Sequence, residues 1–354
     1  GDGRLGQGNV IDRSSPIQIP GSTWTYIYTS SSSSSGITAI KTDGTLWVWG
    51  RNAGGILGQN QGPSQLGHVS SPVQIPGTTW ASSTTHDYNS AAIRTDGTLW
   101  VWGGGGDGAL GQNQGDSGGA RSSPVQVGSA TDWATDAYKL SNADRQYAVI
   151  KTDGTLWSWG NGDGGRLGIN VAGSARSSPI QIPGTWSLVN ISSAGKGLGV
   201  KSNGELYAWG TGYLPLNSPG PSRRSSPTQV GSATDWAKSG RVLALDSNGG
   251  GAIKTDGTLW VWGVNNLGQL GQNEAVFRSS PVQVPGTTWR TISNAYGFMA
   301  TKTDGTLWMW GSNSQGQLGV NDINQRSSPT QVGTDTNWQK ALVSNETVHG
   351  LRLF

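Results

Sequence analysis

The stretch TDGTLWVWG, Thr42–Gly50, constrains the fold of this chain more than any other, because it returns five times with small changes. The copies are Thr95–Gly103, Thr152–Gly160, Ser202–Gly210 (SNGELYAWG), Thr255–Gly263 and Thr303–Gly311. Their turn residues Asp43, Asp96, Asp153, Asn203, Asp256 and Asp304 are spaced 53, 57, 50, 53 and 48 apart. A period near fifty marks a propeller, a solenoid or an array. It makes the 354 residues one large all-β domain rather than two or three ordinary ones.

Asp-Gly between two β-favouring runs predicts a hairpin closed by a two-residue primed turn, since that turn needs positive φ. In the outgoing strand Leu46 and Val48 face one way and Trp47 and Trp49 the other. Both faces are apolar, as in a strand packed on both sides.

Three further signals accompany each copy. A turn-and-strand segment, SSPIQIPG at Ser14–Gly21, recurs at Ser70–Gly77, Ser122–Gly128, Ser177–Gly184, Ser225–Gly231, Ser279–Gly286 and Ser327–Gly333. Its proline places it on the edge of a small sheet. A Trp then opens a strand: Trp24, Trp80, Trp133, Trp186, Trp236, Trp289 and Trp338. A small-residue strand, such as Ile37–Lys41 or Ala91–Arg94, leads into the TDG hairpin, and a G-x-L-G-x-N connection follows the W-G strand. The fourth connection departs from that template and reads TGYLPLNSPG at Thr211–Gly220.

Four short antiparallel strands per period, repeated to seven, predict a seven-bladed β-propeller of four-stranded blades. The linked motifs DG-x-L-W-x-W-G, G-Q-L-G-x-N and S-S-P resemble the repeats of the regulator of chromosome condensation family, and in bacterial or phage-like form. That resemblance covers essentially the whole chain and implies the same seven-bladed fold, though the family uses it for exchange factors, inhibitors, ligase-associated modules and surface proteins. The blades are expected at about 24–76, 80–128, 133–183, 186–231, 236–285 and 289–333, with a seventh shared between 338–354 and 1–20. The seventh lacks a TDGTLWVWG strand. Native flanking sequence, bending of the termini, or β-augmentation by a partner that donates a strand would fill the slot. The absence of an initiator Met suggests a processed or trimmed chain.

Composition excludes several classes. With no Cys there is no disulfide, zinc-thiolate or thiol chemistry. A net charge of +3 with only 13% charged residues is too weak a field for a dedicated nucleic-acid binder. No apolar run is long enough to span a membrane. The histidines are His68, His86 and His349, and no acid or base stands beside a nucleophile or metal-like pair, so the chain reads as a non-enzyme without cofactor or metal. GDGGRLG at Gly162–Gly168 follows a strand but precedes no helix, which argues against phosphate binding. Asn321–Asn324 reads as a solvated loop rather than a calcium site.

All 18 Trp fall on template positions, so they read as packing between blades. Arg heads R-S-S-P at Arg13, Arg121, Arg176, Arg224, Arg278 and Arg326, and a cation precedes the turn at Lys41, Arg94, Lys151, Lys201, Lys254 and Lys302. These are expected to pair with the turn aspartates and backbone carbonyls rather than to form two anion-binding rings.

Function is expected on the loops that vary: Ser30–Gly36, Gln59–Val69, Gln112–Ala120, Asp136–Arg145, Asn170–Ala175, Thr211–Arg223 and Asp246–Gly251. The candidate interaction residues are Tyr26, His68, His86, Tyr88, Tyr138, Arg145, Tyr213 and Arg223. The leading reading is a non-catalytic protein-binding or structural propeller, extracellular or on a virion, with a cytoplasmic setting also compatible. The alternatives are a guanine-nucleotide exchange or chromatin-binding factor and a glycan-binding lectin. The partner is thus another protein or a surface glycan.

Overall fold

The TDG hairpins are closed by three-residue loops. In the computed structural model, which describes residues 2–11, 17–29, 36–114, 119–295, 297–343 and 348–352, the Gly44 N–H donates to the Lys41 carbonyl and the Lys41 N–H to the Thr45 carbonyl. Gly44 has φ +74° while Asp43 does not enter the positive region. This is a turn followed by a left-handed Gly, not the two-residue primed turn expected from Asp-Gly. The Asp43 side chain finishes the loop by accepting from the Thr45 N–H (3.0 Å) and hydroxyl (2.6 Å), and the Trp47 indole N–H donates to that hydroxyl at 2.8 Å. These hydrogen bonds from Thr45 hold the Asp43 carboxyl below its usual range. Only glycine fits beyond the turn: a Cβ on Gly44 would stand 2.3 Å from the Thr78 carbonyl oxygen.

The residues group into two compact units, Gly1–Asp163 with Val171–Thr185 and Gly164–Asn170 with Trp186–Phe354. In the first unit, β1 (Trp24–Thr29), β2 (Gly36–Lys41), β3 (Leu46–Arg51) and β4 (His68–Ile75) form one antiparallel sheet in chain order. β5 (Trp80–Thr85), β6 (Asn89–Arg94), β7 (Leu99–Gly103) and β8 (Arg121–Gln126) form the next. β9 (Leu140–Ala143), β10 (Gln146–Ile150) and β11 (Thr155–Gly160) continue into the first half of β12 (Arg176–Ile191). In the second unit the last part of β12 pairs with β13 (Lys196–Lys201), followed by β14 (Leu206–Gly212) and β15 (Ser222–Gln229). β16 (Leu243–Leu245), β17 (Gly249–Ile253), β18 (Leu259–Gly263) and β19 (Arg278–Val284) make a further sheet. So do β20 (Trp289–Ala295), β21 (Gly297–Lys302), β22 (Leu307–Gly311) and β23 (Arg326–Gln331). β24 (Trp338–Val343) and β25 (Val348–Arg352) pair as a two-stranded ladder.

The proline-bearing strands β4, β8, β15, β19 and β23 lie on sheet edges, as the missing N–H requires, whereas β12 lies inside its sheet, with its Ser-Ser-Pro half paired to β11 and its last part to β13. The strand expected at Pro16–Ile19 falls partly outside the described residues, and residues 17–19 are not in a strand. The segment Asp136–Arg145, read as one long loop, contains a 3-10 turn at Ala137–Lys139 and then β9, leaving only Asp144 and Arg145 as the connection.

Burial explains why the W-G strands tolerate two apolar faces. Leu46, Val48 and Trp49 are fully buried, while Trp47 is half-buried beneath the Lys41 ammonium, 4.2 Å from its ring centroid. The cation before each turn is thus held against aromatic rings, not against the turn aspartate as the sequence suggested. Lys41, Arg94, Lys151, Lys201, Lys254 and Lys302 each lie over two rings at 3.9–5.5 Å. The Arg-Ser-Ser-Pro arginines turn to their own loops: Arg278 pairs with Glu274, Arg326 with Asp322, and Arg176 donates to the Ala175 carbonyl.

Neighbouring repeats are stitched by backbone and indole. The Asn60 N–H, with φ +59°, donates to the Ser122 carbonyl at 2.7 Å, and Asn113, Asn170, Asn217 and Asn273 do the same to Ser177, Ser225, Ser279 and Ser327. The second Trp of each W-G strand reaches back to the preceding connection. Trp102 donates to the Ile56 carbonyl (2.7 Å), Trp159 to Ala109 (3.0 Å), Trp209 to Arg166 (2.9 Å) and Trp310 to Gln269 (2.9 Å). Trp262 breaks the series: its indole N–H is buried without a partner, because the connection before it is the divergent Thr211–Gly220.

Candidate interaction loops

In an antiparallel four-stranded sheet the connection after the first strand and the one after the third emerge at the same end. In the first unit this end brings Tyr88, Arg145 and Asp107 together. Tyr88 is 44% exposed in the turn between β5 and β6, and its carbonyl is fixed by the Gly104 N–H at 2.6 Å. Arg145 sits in the turn between β9 and β10 at φ +52°, a conformation that non-glycine residues seldom adopt. Its carbonyl accepts from the Asn161 N–H at 2.9 Å. Its guanidinium lies 5.3 Å from the Tyr88 ring centroid and 3.3 Å from the Asp107 carboxylate. Asp107, itself at φ +57°, also accepts from the Asn161 amide at 3.1 Å. The arginine is therefore stacked, ion-paired and still 43% exposed, with donors left for a partner. Asp107 and Asn161 were missed in the sequence; Asp107 stands one residue before the glycine that begins a G-x-L-G connection, a place the template leaves to any residue.

His86, beside this cluster, is 3% exposed. Its Nδ1 accepts from the Asp87 N–H at 2.9 Å, so the ring is neutral with the proton on Nε2. Burial lowers its pKa, with Asp87 and Asp144 opposing. It is a buried prop of the turn rather than a contact residue.

The second unit has an aromatic pair at the corresponding end of its sheets. Tyr213, in the divergent connection after β14, packs on Phe277 at 5.3 Å and 59°, next to Val276, which is 50% exposed. Arg223 is exposed on β15, opposite Thr211. Phe277 was not singled out in the sequence, although it is one of only three Phe in the chain and lies outside every template strand.

Other candidates are placed differently from the expectation. Tyr26 is 8% exposed in a core cluster with Leu46, Val48 and Trp80, so it is a packing residue on β1, not a loop residue. His68 is exposed but belongs to the edge strand β4, opposite Arg51. Tyr138 is half-buried in the 3-10 turn whose N–H is capped by Asp136 at 2.9 Å. The loop at Asp322 is occupied by its own chain, since the carboxylate accepts from Arg326, Asn313 and the Asn324 N–H. Among the described residues no three His, Cys, Asp or Glu side chains cluster as a metal site would need, and no helix is long and apolar enough to cross a membrane.

The sheets and their stitching define an all-β propeller fold. The description "Regulator of chromosome condensation (RCC1) repeat" matches residues 153–195, 256–297 and 304–345. Similar curated proteins include the mitochondrial RCC1 domain-containing protein RUG3 of Arabidopsis thaliana, 28% identical over 68% of this chain and 58% of its own length. The ultraviolet-B receptor UVR8 of the same plant is 28% identical over 56% of this chain and 44% of its own. The human E3 ubiquitin-protein ligase HERC2 is 26% identical over 72% of this chain but only 5% of its own. The chain thus spans well under two thirds of each of these relatives. Among solved structures, human WBSCR16 matches with a TM-score of 0.78 at 18% identity, covering 96% of this chain and 89% of that one. Yeast RCC1 (Prp20), solved bound to Kap60, matches at 0.74 and 15% identity, covering 94% and 81%. These likenesses show the fold alone.

Proposed function

We propose that the chain is a non-catalytic protein-binding propeller of seven blades whose partner engages the loop end of the sheets. The observation that carries this is the contrast between the repeat template and the loops. The template's indoles are packed and its cations are stacked on rings, whereas Tyr88, Arg145, Tyr213 and Phe277 use non-template positions to build half-exposed clusters, with Tyr88 exposed and the other three half-buried. Tyr and Arg held rigidly at low entropic cost are the residue types that anchor protein interfaces.

The solved yeast Prp20 is described by its binding to Gsp1p and histones. At 15% identity that supports a protein partner as a class and names none for this chain. A guanine-nucleotide exchange or chromatin role is the second reading, and it predicts binding to a small GTPase or to histones. Low charge favours display outside a cell or on a virus particle, in a bacterial or phage-like protein; the relatives named above, from plant and human, lend that setting no support.

The test is capture from native lysate by the immobilised chain and by its Tyr88→Ala/Arg145→Ala variant. Loss of the same bound proteins from the variant, with its fold intact by circular dichroism, is expected. Identical capture by both, or retention of glycans alone on an array, refutes the reading.

A further inference from the structure

At the hairpin end of the sheets, away from the loops just described, the linkers entering the Trp strands come in different lengths. Where the linker is Pro-Gly-x-x-Trp, the indole N–H donates to the carbonyl of the proline four residues earlier. Trp24 reaches Pro20, Trp80 reaches Pro76 and Trp289 reaches Pro285, each at 3.3 Å. The following glycine lies against the same edge of the ring, since a Cβ on Gly77 would stand 3.3 Å from the Trp80 Nε1. In these sheets a Pro-Gly dipeptide of the chain itself covers the indole N–H.

The linker before Trp133, Val127-Gly128-Ser129-Ala130-Thr131-Asp132, is longer and has no proline. Gly128 has turned away, with φ +59° against +107° at Gly77, and a Cβ on it would meet nothing within 4 Å. The Trp133 indole N–H is left buried without a partner in a residue only 3% exposed. Beside it is a cavity of about 530 Å³ lined by Trp133, Trp157, Lys151, Asn113, Val127 and Pro179, among others. The cation in that wall is already neutralised, because the Lys151 ammonium lies 2.9 Å from Asp132. The cavity is therefore apolar and aromatic with one unmet donor, in the size range that holds small ligands. The second unit repeats the linker at Val230–Asp235, with the Trp236 N–H likewise unpartnered and Lys254 2.9 Å from Asp235. Trp186 also lacks an acceptor, for another reason: its Pro-Gly linker is one residue shorter, which puts the proline three residues before the ring.

We propose that this cavity seats a Pro-Gly segment of a partner polypeptide, whose proline carbonyl accepts the Trp133 indole N–H as Pro76 does for Trp80. The chain's own sheets supply the pattern for the occupant: a carbonyl acceptor on a rigid, extended prolyl residue, followed by a residue small enough to lie on the ring edge. An anionic ligand is disfavoured by the paired lysine, and a buried donor beside a cavity calls for an acceptor.

The probe is the pentapeptide acetyl-Gln-Ile-Pro-Gly-Thr-amide, copied from residues 74–78, titrated into the full chain carrying ¹⁵N-labelled indoles. A saturable shift of the Trp133 indole resonance at millimolar peptide is expected, assigned by its absence in Trp133→Phe. That variant keeps a buried ring, and its affinity, read at the neighbouring Trp157 resonance, should fall about tenfold for the one hydrogen bond removed. Replacing Val127–Asp132 by Ile-Pro-Gly-Thr-Thr, the native linker of Trp80, should abolish binding by filling the site from within. Binding to Trp133→Phe equal to that of the wild type, no shift at millimolar peptide, or a shift produced by an oligosaccharide and not by the peptide would each overturn the proposal.

Discussion

Lys196 offers the sharpest test of the packing. It opens β13 and is fully buried, with its ammonium donating to the Gly249 carbonyl at 3.4 Å. Asp246, half-buried beside it, accepts from the Asn248 and Gly249 N–H groups at 2.8 and 2.9 Å. Burial lowers the lysine from 10.5 to about 8, with Asp246 opposing, and burial raises Asp246, with Lys196 opposing. Below about pH 8 both folded and unfolded chains carry the lysine proton, and the folded state bears the full cost of burying it. Between about 8 and 10.5 only the unfolded chain retains the proton, so this group makes stability rise with pH across that window. A fall from 10.5 to about 8 corresponds to about 3 kcal/mol. Lys196→Met keeps the aliphatic stem and removes the titration. Urea unfolding of both chains through this window should therefore show the wild type gaining about 3 kcal/mol relative to the variant; the subtraction cancels other lysines and tyrosines that titrate there. In an Asp246→Asn background the ammonium loses the charge that opposes its shift, and the gain should begin at lower pH. A wild-type-minus-variant difference that stays flat would refute the assignment of a buried, charged amine.

The indole series gives a second comparison. Trp102→Phe and Trp262→Phe lose the same ring volume, but only the first loses a hydrogen bond and the second removes a buried donor with no acceptor. The Trp102 variant should be less stable by about 1–3 kcal/mol in urea unfolding, and equal losses would refute the account of the fourth connection. The turn carboxylates Asp43, Asp96, Asp153, Asp256 and Asp304 are all held below their usual range, first by the threonine side-chain hydrogen bond. Their stabilisation is full above the unfolded carboxylate range and is lost as pH falls through the lowered values. Asp256→Asn should shrink that acid-side loss without moving the stability slope near neutrality, as followed by circular dichroism. Arg145→Gly relieves the left-handed backbone by about 1 kcal/mol while losing an exposed ion pair worth about 0.2–1 kcal/mol. Thermal stability should stay unchanged while partner capture is lost, and capture at wild-type level would remove Arg145 from the interface.

The period, the strand order and the edge position of most Ser-Ser-Pro strands are legible because each depends on local chemistry repeated many times. The turn type was not legible, since Asp-Gly serves two- and three-residue hairpins alike and the register of Lys41 against Thr45 decides between them. The cations were misread for a related reason: Lys41 is two residues from Asp43 in sequence, but the pleat carries it across the sheet surface onto Trp24 and Trp47. Tyr26 was misread because a Tyr in an edge strand looks like surface until the next sheet covers it. Lys196 left a signal that could have been used. The positions that open the second strand elsewhere hold Gly36, Asn89, Gln146, Gly249 and Gly297, so a lysine there is a charge in an uncharged slot.

The departures from the template, more than the template itself, locate what this chain can do. A repeat that satisfies every donor with its neighbour has nothing left to offer a ligand, and the Trp80 linker and the Trp102 stitch are satisfied in that way. Where the sequence departs, donors or rings come free in a predictable manner. The longer linker leaves the Trp133 N–H beside a cavity, and the divergent fourth connection leaves Trp262 unpartnered while bringing Tyr213 onto Phe277. Each departure forfeits a hydrogen bond worth about 1 kcal/mol, a cost that a purely structural repeat would have no reason to retain. Restoring the template at either place should therefore raise stability and reduce binding together. A restored linker that stabilises the fold while leaving every binding activity intact would show that the irregularities are drift.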